Sequence, residues 1–405
     1  MGHRARPLLV AVAFVAFISL GLPDAVLGVA WPSIRQTFSL SLSRLGELLA
    51  TTMVGYLLSS ALSGPVVRRV GVGRLLVGSS ALVVLSLVGY WAAPAWGVMV
   101  ACGLLAGLGG GAVDAGINAY AAGHFLPRQV TWLHACYGVG ATLGPFTMTA
   151  VLSAGLPWRW GYALIGGVLS LMAILFVITR SQWTLHANAG AGPAPAAATA
   201  AQTLRLPLVW VHIALFFIYT GLEVTAGQWL YSLLTGSRQF APALAGTCVG
   251  LYWGGLTAGR VAFGVAAGRF RGRSLLRLST VAAPAAALLI WWGGAPVLTV
   301  AAATLLGFAL APVFPLLISA TPDRLGHEVS VHAIGFQVSA ACLGGAALPS
   351  AAGILAKSRG LEVIGAFLFC VSVGLLALHE LALRMSQPRG PAAVLTGSAG
   401  GQARR

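Results

Sequence analysis

Acidic residues are scarce in this chain: eight Asp and Glu stand among 405 residues, and charged residues of both signs make up only 8%. A soluble domain carries about 25% charged residues, so a water-solvated globule is excluded. The five cysteines, Cys102, Cys136, Cys248, Cys342 and Cys370, lie in apolar stretches at spacings unlike any metal motif. They read as packing residues, and neither a disulfide nor a metal site is expected. A phosphate loop, a His/Cys cluster and a nucleophile motif before a helix are also missing, so no enzyme class and no cofactor is indicated.

Apolar length is abundant instead. Hydrophobic residues are 58% of the chain and mean hydropathy is +0.88. Segments of 18 or more mostly apolar residues recur throughout, the pattern of an all-α polytopic membrane protein. The backbone must be satisfied within each segment in lipid, and the segments are too long for barrel strands. The predicted spans are 7–30, 44–66, 73–93, 96–123, 128–152, 158–180, 207–235, 242–265, 273–293, 296–320, 328–355 and 359–384. The first is too long for a signal peptide and is read as retained.

The net charge is +16, but the basic residues fall in short loops between spans, which excludes a nucleic-acid face. Of the 24 Lys and Arg, Arg35, Arg44, Arg159, Arg238, Lys357 and Arg359 fall on the side opposite the amino terminus. All the others, Arg260 among them, are assigned to the amino-terminal side. That asymmetry predicts a multi-pass inner-membrane protein with both termini cytoplasmic. Residues 186–206, "HANAGAGPAPAAATAAQTLRL", read as a flexible cytoplasmic linker and 386–405 as a disordered cytoplasmic tail. The domains expected are therefore two six-helix bundles, 1–185 and 207–385.

The bundles echo each other. "GLPD" at 21–24 matches "GLE" at 221–223, with Trp31 and Trp229 downstream. Gly64 and Arg69 match Gly264 and Arg269, and "GLGGGAVDAG" from Gly107 matches "GFALAPVFPL" from Gly307, both at an offset of 200. "GATLGP" at 140–145 is answered by "GGAALP" at 344–349. Matches in the same order at a nearly constant offset indicate parallel repeats, with a site at midplane between them.

Several motifs carry a resemblance. They are "GLPDAVLGVAWPSI" in span 1, "DAGIN" in span 4, "LHACYGVGATLGP" in span 5 and "YTGLEVTAGQW" in span 7, then "YWGGLTAGRVAFG" in span 8, "GFALAPVFP" in span 10 and "FQVSAACLGGAALP" in span 11. Through them the chain resembles the major facilitator superfamily, and within it the fucose and glucose/mannose proton symporters. The resemblance implies alternating access, with spans 1, 4, 7 and 10 lining a central cavity. It also implies a cytoplasmic gate of Arg68, Arg69, Arg74 and Arg269. One departure is plain: "GPVVRRVGVGR" puts Arg68 where that superfamily has an Asp.

Three acids lie deep in predicted spans, where a carboxylate costs about 2.5 kcal/mol or more and so faces a cavity and has a task. Asp24 and Asp114 are the expected proton-coupling groups. Asp114 and Asn118, four residues apart, share one helical face. The resemblance makes Glu223 a ligand for substrate hydroxyls, with Asn118, His134, Gln228, Trp253 and Gln337 as further substrate contacts. His134 is expected to be buried. Structural readings stand beside these: an interhelical bond in a Gly/Ala seam for Asp114 and Asn118, a satisfied histidine for His134, ordinary packing for Trp253. Glu47, Asp323, Glu328, Glu362 and Glu380 sit near span ends and read as solvated or end-paired charges. The expected partners are protons, a small sugar-like substrate and membrane lipid, in a monomer. An exporter of amphipathic compounds and a non-transporting membrane sensor remain alternatives.

Overall fold

The computed structural model describes residues 7–184, 199–265 and 272–386. Its elements there are helices, and no strand occurs among the described residues. Eleven helices are long and apolar enough to cross a membrane. They are α1 Pro7–Thr37, α2 Leu42–Val70, α3 Val72–Ala92, α4 Trp96–His124, α5 Arg128–Ser153, α6 Trp158–Gln182, α7 Pro207–Gly236, α9 Gly272–Trp292, α10 Pro296–Ser319, α11 Glu328–Arg359 and α12 Val363–Met385. The remaining long helix, α8, spans Pro242–Val265. Its 24 residues are enough to cross, about 36 Å at 1.5 Å per residue, but glycines and Arg260 dilute its apolar character. All-α polytopic architecture is thus what the apolar segments predict. The expected tail beyond Ser386, and the linker through residue 198, fall outside the described residues. The last part of the linker holds a short helix, Ala200–Leu204, capped by the Thr199 hydroxyl.

Local chemistry sets the ends and breaks of these helices. Prolines at 207, 242 and 296 open helices, where a missing N–H costs nothing and φ is already helical. Gly71 (φ 82°) and Gly360 (φ 85°) end α2 and α11 in a left-handed conformation open to glycine. Two spans are interrupted. α1 consists of Pro7–Asp24 and Val26–Thr37, and α10 of Pro296–Leu310 and Val313–Ser319. Each break lies next to a proline, Pro23 or Pro312, which cannot donate to the preceding turn.

Packing mirrors the internal repeat. α1 lies on α5 and α2 on α4; in the second set α7 lies on α11 and α8 on α10. The close approaches recur at the offset of 200. A side chain on Gly107 would overlap the Thr52 carbonyl, and one on Gly307 the Tyr252 carbonyl. Gly55 meets Leu104 and Gly255 meets Thr304 in the same way. Small residues let helix backbones approach where no hydrophobic force drives them together.

The two sets of six meet through α5–α8, α2–α11 and α1–α7. We call the ends where α1 begins and ends the near and far faces. Contacts between the sets concentrate toward the far face: Gly28 against the Gly227 carbonyl, Gly46 against Ser350, and Gly246 against Thr149. Along α5–α8 they continue to Gly138, against Thr257. The near half of α2 from Gly64 to Val70 is largely exposed, with Arg68, Arg69 and nearby Arg74. The bundle is closed on the far side and parted on the near side.

Arginines secure the far face. Arg159 donates to the Trp91 and Ala93 carbonyls at 2.6 and 2.7 Å, closing the end of α3. Arg238 donates to the Ile290 carbonyl at 2.8 Å at the end of α9 and pairs with Glu362 at 2.9 Å. Glu47 pairs with Arg44 and accepts from the Trp96 indole at 2.8 Å. Arg159 and Arg238 serve helix ends, where carbonyls need donors.

The close approaches make a stability prediction. Gly107→Ala and Gly307→Ala should each lose about 1–3 kcal/mol through overpacking. Gly78→Ala, which meets nothing within 4 Å, should be neutral or gain up to about 1 kcal/mol of helix propensity. Thermal unfolding of the three purified variants checks this; equal stability of Gly107→Ala and Gly78→Ala would mean that the seam is not tight.

Candidate functional site

The three deep acids share one device: each has a tyrosine hydroxyl. Asp24 accepts from Tyr137 of α5 at 2.7 Å. Asp114 accepts from Tyr56 of α2 at 2.7 Å and from its helical neighbour Asn118 at 2.9 Å. Glu223 accepts from Tyr219, one turn earlier on α7. Tyr252 of α8 steadies the same turn by donating to the Glu223 backbone carbonyl at 2.8 Å. A buried polar group without such a partner costs several kcal/mol.

Glu223 differs from the aspartates in having a cation. Arg260 of α8 lies 3.6 Å from its carboxylate, and both side chains are mostly buried, 24% and 12% exposed. This corrects the assignment of Arg260, which stands near the end of α8, to an amino-terminal-side loop: it is an interior residue, and the basic asymmetry survives its removal. Glu223, the expected ligand for substrate hydroxyls, has this protein cation beside it. Asp24 and Asp114 have no salt-bridge partner among the described residues.

Asp24 sits where α1 breaks, and it is solvent-exposed although 17 residues, about 25 Å of helix, separate it from the start of the span. It therefore lines an open interior space. Asp114 lies within electrostatic reach of Asp24 and of His134. His134, expected to be buried, is exposed, its ring edge-on to Phe17 at 5.5 Å, because this face of α5 looks into the same space. Tyr137 is also within reach of Arg260 and Glu223. Asp24, Asp114, Asn118, His134, Glu223 and Arg260 thus form one constellation on α1, α4, α5, α7 and α8.

Other expected contacts stand apart. Gln228 is 3% exposed and its side-chain oxygen has no partner. It lies behind the contact of Gly28 with Gly227 and Gln228. Trp253 packs its indole on Gly227 and stands edge-on to Tyr252 at 5.3 Å. Gln337 is fully buried at the near end of α11, bonded to Thr321 at 3.1 Å and His212 at 3.3 Å. It is spent on packing there, away from the acids. Arg68, Arg69 and Arg74 are exposed on the near face, and Arg269 lies outside the described residues. An open recess of about 440 Å³ at the far face, lined by Gln36, Thr37 and Arg159 among others, is also remote from the acids.

The sequence profile of the Major Facilitator Superfamily matches residues 9–349. The chain belongs to that superfamily. Among curated relatives, Bypass of stop codon protein 6 of Saccharomyces cerevisiae is 22% identical, over 90% of this chain and 80% of that one. Among solved structures, a mutant of the nucleoside transporter NupG aligns with TM-score 0.74 at 13% identity, covering 93% of this chain and 99% of NupG. A variant of the E. coli fucose:proton symporter FucP aligns with TM-score 0.61 at 15% identity, covering 94% and 99%. These structures share its fold. As a multi-pass member of the Major Facilitator Superfamily, the chain is a secondary transporter of small molecules and not an enzyme.

Sequence reading missed Arg260 and all three tyrosines. A usable signal existed: Tyr219 is four residues before Glu223, and Arg260 is seven after Trp253, both spacings that share a helix face.

The ion pair generates a prediction. Arg260→Met and Glu223→Gln should each cost about 3 kcal/mol, since either leaves the remaining group unmatched, and the double variant should recover most of that loss. Unfolding of all four proteins in detergent tests it. Additive losses in the double variant would mean that the two groups do not act as a pair.

Proposed function

We propose that the chain imports a small hydroxyl-rich solute, a hexose-like sugar, together with protons. The observation that carries this reading is Asp24: a carboxyl at a helix break, open to the interior space, bonded to a tyrosine and lacking a cation. A carboxyl without a counter-charge can take up and release a proton, whereas Glu223 has Arg260 to hold its charge. Asp24 and Asp114 are therefore the proton-coupling groups. Asn118 and His134 supply donors and acceptors for hydroxyls beside them, and Glu223 acts as a charge held ready by Arg260. The fold relatives, one named a nucleoside transporter and one a fucose:proton symporter, support a polyol-like substrate.

The basic asymmetry makes the near face cytoplasmic, so the parted side opens inward. Residues 1–185 and 207–385 rock against each other, joined by 186–206, while α5–α8 and α2–α11 serve as the seam. Coupling arises because the protonated and unprotonated forms bind solute differently.

Proteoliposomes test the reading with a panel of hexoses, deoxyhexoses and nucleosides and a pH dye in the lumen. A transported solute should acidify the lumen. With one proton per solute and a pH difference of one unit, accumulation should reach about tenfold, since one unit is worth about 1.36 kcal/mol. Asp24→Asn should accumulate none while still exchanging labelled solute across the membrane. Full accumulation by that variant would remove Asp24 from the coupling mechanism; solute movement without acidification in the wild type would sink symport itself.

A further inference from the structure

The near half of the α2–α11 seam is open in this structure, and its two faces carry opposite charges. The register of the seam is fixed at the far end. A Cβ on Gly46 would stand 2.6 Å from the Ser350 hydroxyl, and one on Gly353 would stand 3.4 Å from the Leu42 carbonyl. α2 runs from the far face to the near face and α11 runs back, so each turn along α2 answers one turn toward the start of α11. Five turns, about 18 residues, lead from Gly46 to Gly64 and from Ser350 to His332. One further turn leads to Arg68 on α2 and to Glu328 on α11. Helix geometry keeps both within about 40° of the faces that carry Gly46 and Ser350. Arg69, by contrast, is turned about 140° from that face of α2.

These two faces stand apart here. Ala61, Gly64 and Arg68 on α2 are exposed, and so are Glu328, Gly335 and Ser339 on α11. A Cβ on Gly335 would meet nothing within 4 Å, and one on Gly64 would meet only Arg68 Nη1, at 3.8 Å. Small residues on a helix face let backbones approach closely, and Gly46 serves in that way at the far end. Gly64 and Gly335 are the same device, not in use in this state. The charges are unspent as well: neither Arg68 nor Glu328 forms an ion pair among the described residues.

We propose that Arg68 and Glu328 form a latch, pairing across α2 and α11 in the state opposite to this one, when the near side closes. The inference rests on the rocking of the two sets and not on the identity of the solute. The gate that the resemblance implies consists of arginines alone; Glu328, which reads from the sequence as a solvated or end-paired charge, supplies its acid. Closure brings Gly64 level with His332 and carries the guanidinium, which leans back over Gly64, toward α11. A pair at the mouth of a water-filled crevice is screened and contributes a small factor. It therefore tilts the balance between the two states and does not hold either one shut.

Disulfide trapping in proteoliposomes tests the register, in the full chain with its five native cysteines replaced by alanine and copper phenanthroline as oxidant. Arg68→Cys with Glu328→Cys should cross-link, while Arg69→Cys with Glu328→Cys should lag well behind. Gly64→Cys with His332→Cys reports closure with both charges in place. On that pair, Arg68→Glu or Glu328→Arg should each slow cross-linking about two- to fivefold, and the double exchange should restore the rate. If Gly64→Cys cross-links with His332→Cys but Arg68→Cys does no better than Arg69→Cys, the latch is overturned and the rocking stands. A double exchange that is slower than either single one also overturns the latch. Cross-linking of neither pair overturns the latch together with the rocking from which it follows.

Discussion

A charge in the interior of a membrane protein must be answered from within the protein, and that constraint organises this molecule. Lipid cannot do it, so each deep carboxylate is met by a tyrosine from its own or a neighbouring helix. The partners dictate which helices lie together. Tyr137 draws α5 onto α1 at Asp24, and Tyr56 draws α2 onto α4 at Asp114. Those are the pairs whose backbones also touch through glycine, Gly140 on Ile18 and Gly107 on Thr52. Close packing and polar satisfaction are thus one event: only helices at near-contact distance bring a phenol to a carboxylate on the next helix.

The same constraint separates the acids into two kinds. A tyrosine stabilises a carboxyl in either protonation state, because its hydroxyl can donate to the charged form and accept from the neutral one. An arginine serves only the charged form. Glu223 has Arg260 beside it, whereas Asp24 and Asp114 have no cation among the described residues. The proposed proton coupling draws on carboxyls of the second kind.

Much of this was legible in the sequence, and the limits have physical reasons. Apolar length and proline or glycine punctuation are local signals, so the spans and their ends could be read directly. The offset of 200 that links Gly107 to Gly307 reappears as equivalent contacts on Thr52 and Tyr252. Partnership is not local. Arg260 and Glu223 are far apart in the chain, and the position of Arg260 near a helix end resembles that of a snorkelling arginine. Gln337 reads as a cavity residue because amides suit sugars; that it faces His212 and Thr321 depends on the rotation of α11, which a helix uniformly rich in small apolar residues does not announce. His134 fails in the opposite direction: a span residue reads as buried, yet an interior space makes it exposed.

The break in α1 is where close packing and charge meet. Pro23 removes one backbone hydrogen bond, and the helix stops at Asp24 before resuming at Val26. Beyond the break, Gly28 presses on the Gly227 carbonyl and closes the far side. Before it, the near part of α1 stays packed on α5 through Gly140. Asp24 therefore stands at the junction between a segment packed within its own bundle and a segment that touches both bundles. In the proposed mechanism a change in the charge of Asp24 acts at this break, next to the segment that closes the far face.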